Sequence, residues 1–125
     1  MGESREGNSW LPSQDDYDAI IRSVRDYAMG WYDGDSKRMR RCLHPDLVKR
    51  TVARGRSPGT FVLRRPITLE RMVGATRNGG GTEIPKTRRR YQIDVLSVFR
   101  HIAMVRCISP LYVDYVQLAK FKKKQ

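Results

Sequence analysis

Cysteine and histidine are scarce in this chain: its 125 residues hold two of each. Cys42 and Cys107 lie far apart in apolar surroundings, which argues against a disulfide-stapled scaffold and for two buried thiols in a reducing compartment. With only His44 and His101, and no CxxC pair, the chain offers no ligand set for a structural zinc ion. No metal and no other cofactor is expected. Long apolar runs are missing too, so no stretch reaches membrane-spanning length. The opening residues MGESREGNSWLP lack the basic-then-apolar layout of a secretory signal, and a cytoplasmic protein is the expectation. Acidic residues thin out after position 35. Residues 1–35 hold eight acidic and three basic residues, a net of −5, whereas residues 36–125 hold five acidic and 22 basic, a net of +17.

That imbalance would attract polyanions over a Debye length whatever the fold. Its clusters are Lys37-Arg38, Arg40-Arg41, Arg64-Arg65, Arg88-Arg89-Arg90 and Lys122-Lys123-Lys124. Most fall at expected element ends, and aromatic residues do not alternate with them as in single-strand stacking platforms. Solvated surface charge is therefore the plainer reading. Apolar residues make up 39% and charged ones 30%, which fits one soluble globular domain with a real core.

The stretch Tyr27–Arg50 sets the plan. Before it, Tyr17, Ile20, Ile21, Val24, Tyr27, Ala28 and Trp31 recur three and four apart, one face of an α-helix starting near Gln14. Gly34 stops this helix, because glycine enters the left-handed region without steric cost. Asp35 then caps a short second helix with Met39, Cys42 and Leu43 inward. His44-Pro45 ends it, since the residue before proline is pushed out of the α region. Residues 47–53 and 60–63 flank the turn-forming Arg54-Gly55-Arg56-Ser57-Pro58-Gly59, a hairpin pattern. Thr68 caps a third helix facing inward through Leu69, Met72 and Val73. Residues 78–87, with Gly79-Gly80-Gly81, read as a flexible lid or connector; no Lys-Ser or Lys-Thr follows to make a phosphate loop.

Three strands follow over residues 91–99, 102–109 and 112–121, rich in Val, Ile, Tyr and Phe. Arg100-His101 turns between the first two, and Pro110 marks a bend before the third. Strict alternation puts Ile93 and Val95 on one face of the first strand and Leu96 and Val98 on the other. Two apolar faces ask for two partners, the helices and a second copy of the chain, so a homodimer is expected.

This order of elements resembles the nuclear-transport-factor-2-like, or cystatin-like cone, fold. More narrowly, it is similar to the bacterial group named putative lumazine-binding proteins. The resemblance rests on Tyr27 with Trp31-Tyr32-Asp33-Gly34-Asp35, on Leu43-His44-Pro45-Asp46-Leu47 with Lys49-Arg50, on Gly79-Gly80-Gly81, and on Ser109 through Tyr115. It implies an α+β cone over residues 14–121, three helices on a curved antiparallel sheet of about five strands. A segment 1–13 would precede it as a flexible arm, and 122–125 would follow as a basic tail. A further Trp/Ile-rich strand usual in that group has no counterpart, so the chain is expected to end on the 112–121 strand or to be truncated.

The resemblance also implies a pocket between the helices and the concave sheet face. Where relatives catalyse isomerisation, dehydration or hydrolysis, a Tyr, Asp or His there moves a proton. Asp114, His44 and Tyr17 are the catalytic candidates, with Tyr27 and Asp46 also in view. Trp31, Arg50, Met72, Tyr112 and Asp114 are the ligand-binding candidates. Each has a plain structural alternative. Asp114 suits a solvent-facing or ion-paired strand residue, His44 a helix end, Asp46 a turn, and Trp31 and Met72 a core. Arg50, read as inward, needs an anion such as Asp114 or a ligand carboxylate.

Three function classes remain at this level. A small-molecule pocket protein, binding or weakly catalytic, predicts a cavity with a polar anchor. An inert dimerisation module predicts a filled cavity and a large apolar sheet face. A nucleic-acid binder predicts convergent arginines. The pocket protein is the reading adopted, with a homodimer as its assembly and no membrane association.

Overall fold

The computed structural model describes residues 11–121, so most of the 1–13 segment and the whole 122–125 tail lie outside the described residues. Within them the chain is α+β: two helices, a short hairpin, a third helix and then three antiparallel strands. Of the described residues, 11–28 with 85–121 form one compact unit, and Met29–Ile84 a second.

Helix α1 spans Gln14–Asp33 and contributes to both units. A reciprocal cap starts it: the Asp16 amide donates to Ser13 Oγ at 3.1 Å and the Ser13 amide to Asp16 Oδ2 at 3.0 Å, which satisfies donors left orphaned by the first turn. It ends as expected at Gly34, whose φ is 63°. The Gly34 amide donates to Trp31 O and the Asp35 amide to Gly30 O, the paired bonds of a Schellman ending.

In the first unit, a three-stranded sheet runs in the order β3–β4–β5, with β3 Gln92–Phe99, β4 Ile102–Ile108 and β5 Val113–Ala119. Its core joins Val24 and Ala28 of α1 to Val105 and Cys107 of β4, with Ile20, Ile93, Val95, Val116 and Leu118 packed around them. Full burial of a valine such as Val24 or Val105 contributes about 1.5–3 kcal/mol. Tyr17, expected on the same helix face, is instead 39% exposed.

One strand departs from strict alternation. Val95 pairs with Val105 but Ser97 pairs with Met104, so Leu96 is a bulge. The extra residue returns Val98 to the inner face, opposite buried Ala103, because cross-strand partners project to one side. Ile93, Val95 and Val98 therefore face inward together, and Leu96 is left 45% exposed. The division of Ile93 and Val95 from Val98 does not hold. The outer face carries Phe99, Ile102, Val113 and Tyr115, all exposed. Among them, Arg106 Nη2 meets Asp94 Oδ2 at 3.1 Å; bonds from Gln92 and then Arg106 hold the Asp94 carboxyl below the ordinary range.

In the second unit, α2 (Ser36–Cys42) is capped by Asp35, whose Oδ1 accepts the Arg38 amide, and α3 (Leu69–Arg77) by Thr68, whose Oγ1 accepts the Arg71 amide. Leu69, Met72 and Val73 are buried, as expected, and Thr76 joins them by donating to Met72 O at 2.8 Å. Strands β1 (Val52–Arg54) and β2 (Phe61–Leu63) form a separate two-stranded hairpin, so the five strands divide into a pair and a triplet. The glycine segment is a packed connector and not a lid: the Gly81 amide donates to Trp31 O at 2.8 Å and Gly81 is buried. A 3-10 turn over Lys86–Arg88 leads on to β3.

Candidate functional site

Between the first turns of α1 and one end of the sheet lies a cleft of about 130 Å³. Three segments distant in sequence build it. Ala19, Ile20 and Ser23 come from α1, Val98 and Arg100 to Ala103 from the β3–β4 turn, and Leu118 to Lys120 from the end of β5. The walls are apolar because Val98, Ala103 and Leu118 all point to the inner sheet face. The turn is tight: Arg100 has φ 54°, and its guanidinium lies 5.4 Å from the Phe99 ring centroid. The Lys120 amide closes it by donating to His101 O at 2.7 Å.

An ion pair forms the polar rim. Lys120 Nζ donates to Asp16 Oδ1 at 2.6 Å, while the other carboxylate oxygen takes the Ser13 amide. Lys120 first, then the Ser13 amide, hold the Asp16 carboxyl at about 2, below its ordinary 3.8. Both groups keep bonding capacity, since an ammonium has three donors and a carboxylate about four acceptor sites. The depressed value ties stability to pH with a definite sign: protons bind the unfolded chain more readily, so this stabilisation is complete above pH 3.8 and fades as pH falls towards 2. In Lys120→Met the Asp16 value should return towards normal. Acid titrations of thermal melts should then show a shallower loss between those two pH values than in the parent; equal slopes would remove Lys120 as the cause.

At the opposite end of the same inner face sits a second polar cluster. Asp114 is half-buried and faces Cys107 across the sheet, and Tyr27 Oη donates to its Oδ2 at 3.4 Å. Burial, followed by the Asp114 charge, pushes the Cys107 thiol up. Asp114 shares this face with Val116, as period two requires.

The other candidates are dispersed. Tyr112 is exposed in the turn, where its carbonyl accepts the Ser109 amide at 2.8 Å. His44 is exposed, and its Nδ1 accepts the Asp46 amide at 3.0 Å, which organises the turn after α2. Trp31 is half-buried beneath Gly80 and Gly81, and Met72 is buried in α3. Arg50 is exposed just ahead of β1, so the expectation of an inward guanidinium short of an anion fails: water solvates it. Asp16, Ser23, His101 and Lys120 were not among the sequence candidates. The two charges of the rim are 104 residues apart, and no local pattern announces such a pairing. Among the described residues, no three His, Cys, Asp or Glu side chains gather to hold a metal ion, and no helix is long and apolar enough to cross a membrane.

Comparison with curated proteins and with solved structures gave no match. A family model does match, over residues 15–124, nearly the whole chain. The element order, the caps at Asp35 and Thr68 and this match agree, and the chain belongs to the family described as putative lumazine-binding, within the nuclear-transport-factor-2-like superfamily.

Proposed function

We propose that the protein binds a small flat heterocycle of the lumazine type in the cleft between α1 and the end of the sheet that carries the β3–β4 turn. The observation that carries this reading is the cleft itself, apolar inside and edged by Asp16 and Lys120. Its volume of about 130 Å³ is well below the roughly 300–1,000 Å³ of drug-sized sites, which favours one or two fused rings over a nucleotide. A pteridine-dione carries ring N–H donors beside carbonyl acceptors. Asp16 suits the former and Lys120 the latter, with the ring faces against Ile20 and Leu118. Titrating the protein into lumazine and following the pterin fluorescence tests the reading. Saturable quenching, weakened at least about tenfold in Lys120→Met as expected for a lost charged contact, supports it; a linear response sinks it.

The Tyr27–Asp114 contact favours a second, catalytic reading in which Asp114 moves a proton. On that reading Asp114→Asn abolishes turnover, by about a hundredfold or more, while lumazine quenching is unchanged. Screening for isomerase, dehydratase and hydrolase turnover in parent and variant is the check, and equal rates would remove Asp114 from the chemistry.

The exposed outer face of β3–β5 supports a homodimer. Light scattering at micromolar concentration should then give twice the 14.5 kDa of one chain, and Ile102→Glu should return it to one. A single-chain mass for the parent would end the dimer proposal.

A further inference from the structure

The β1–β2 hairpin has no place in the binding reading, yet its composition is extreme. From Lys49 to Arg65 it holds Lys49, Arg50, Arg54, Arg56, Arg64 and Arg65 and no acidic residue. The register Val52↔Leu63 and Arg54↔Phe61 puts these four side chains on one face, because directly opposed residues project together. Their exposure is unusual for apolar side chains: Phe61 68%, Val52 64% and Leu63 60%. Arg50 and Arg65 flank the base of the ribbon and Arg56 lies in its turn, all exposed. Two guanidiniums outside the hairpin meet carboxylates, Arg40 on Glu70 and Arg106 on Asp94. Among the described residues, Arg50, Arg54, Arg56, Arg64 and Arg65 make no ion pair. A face that leaves both apolar surface in water and like charges unneutralised fits a partner that is anionic and apolar at once.

We propose that this face of the hairpin docks on the anionic surface of a lipid bilayer. Phe61, Leu63 and Val52 enter the boundary between headgroups and acyl chains, and Arg50, Arg54 and Arg65 meet the phosphates. Nucleic acid matches the charge but only part of the apolar surface. It offers a stacking surface to Phe61 but little to the aliphatic pair, whereas a bilayer buries all three while its surface potential attracts each basic residue. The ribbon lies on the membrane without spanning it, since three-residue strands fall far short of the roughly nine to eleven a spanning strand needs.

The test is co-sedimentation of the whole protein with phosphatidylcholine vesicles, with and without phosphatidylserine, at physiological salt. Partition onto the serine-containing vesicles should exceed that onto pure phosphatidylcholine by about tenfold or more. Arg54→Gln/Arg65→Gln should cut it about tenfold, and Phe61→Ser should cut it several-fold with no change in charge. Arg22→Gln/Arg25→Gln on α1 removes the same charge outside the hairpin segment and should cost less than about threefold. Melting each variant first confirms that it is folded. Equal partition onto both vesicles overturns the proposal, as does an equal loss in the α1 control or no effect of Phe61→Ser, either of which means diffuse charge attraction. Binding of a labelled oligonucleotide, lost in the hairpin variants while vesicles are ignored, would assign the face to nucleic acid instead.

Discussion

Gly80→Ala is expected to destabilise the protein by about 2–3 kcal/mol, the range for forcing a side chain into a left-handed backbone against a close neighbour. Gly80 has φ 51°, and an added Cβ would stand 2.5 Å from the Trp31 carbonyl oxygen. Backbone blocks that atom, so no rotamer change relieves the clash. The same segment bonds to α1 through the Gly81 amide and to α3 through the Gly80 amide on Ala75 O, and a shift would break both. Gly74→Ala is the matched contrast. It lies inside α3 with nothing within 4 Å of an added Cβ, so alanine should stabilise by about 0.5–1 kcal/mol through helix propensity. Opposite signs for the same substitution, read from urea melts, would show that the glycine run exists to let backbone approach Trp31. Two small effects of one sign would refute it.

Ala19→Trp should abolish ligand binding at almost no cost in stability. Ala19 lines the cleft from α1 yet is exposed, so a larger residue there needs no core rearrangement, and surface changes of this kind stay within about 0.5 kcal/mol. An indole ring over a space of about 130 Å³ leaves no room for a bicyclic ligand. Lumazine affinity should fall about a hundredfold or more, the consequence of a steric block as opposed to one lost contact. Unchanged affinity would move the site elsewhere in the molecule.

The helices were legible because their ends are written in single residues. Gly34, Asp35 and Thr68 each act through a local bond to the backbone, and each bond is present. The β3–β5 strands were legible from β-branched and aromatic content for the same local reason. Leu96 was not: the adjacent apolar pair Val95-Leu96 interrupts the alternation, which suits a second apolar face as well as a bulge, and only the way β4 lies beside β3 decides between them. Counting in twos across it misassigned Val98.

Arg50 fails differently. A long cation beside valines is compatible with either face of a strand, and the hairpin's apolar side chains are themselves exposed, so patterning gave a false inside. Asp114, which the sequence left between a pocket residue and a solvent-facing or ion-paired one, is half-buried on the same face as Val116. Its partner Tyr27, 87 residues away, was visible only as a helix-face aromatic. The cleft is the least legible feature, since its walls come from residues near 16–23, 98–103 and 118–120, and only the antiparallel register brings them to one end of the sheet.

The most direct measurement is a two-dimensional amide NMR titration of the isotope-labelled protein with lumazine. Saturable shifts are expected on Ala19, Ser23, Arg100, His101, Ala103 and Lys120, with Lys49 to Arg65 unmoved. Shifts that never saturate, or that gather away from the cleft, would contradict binding there.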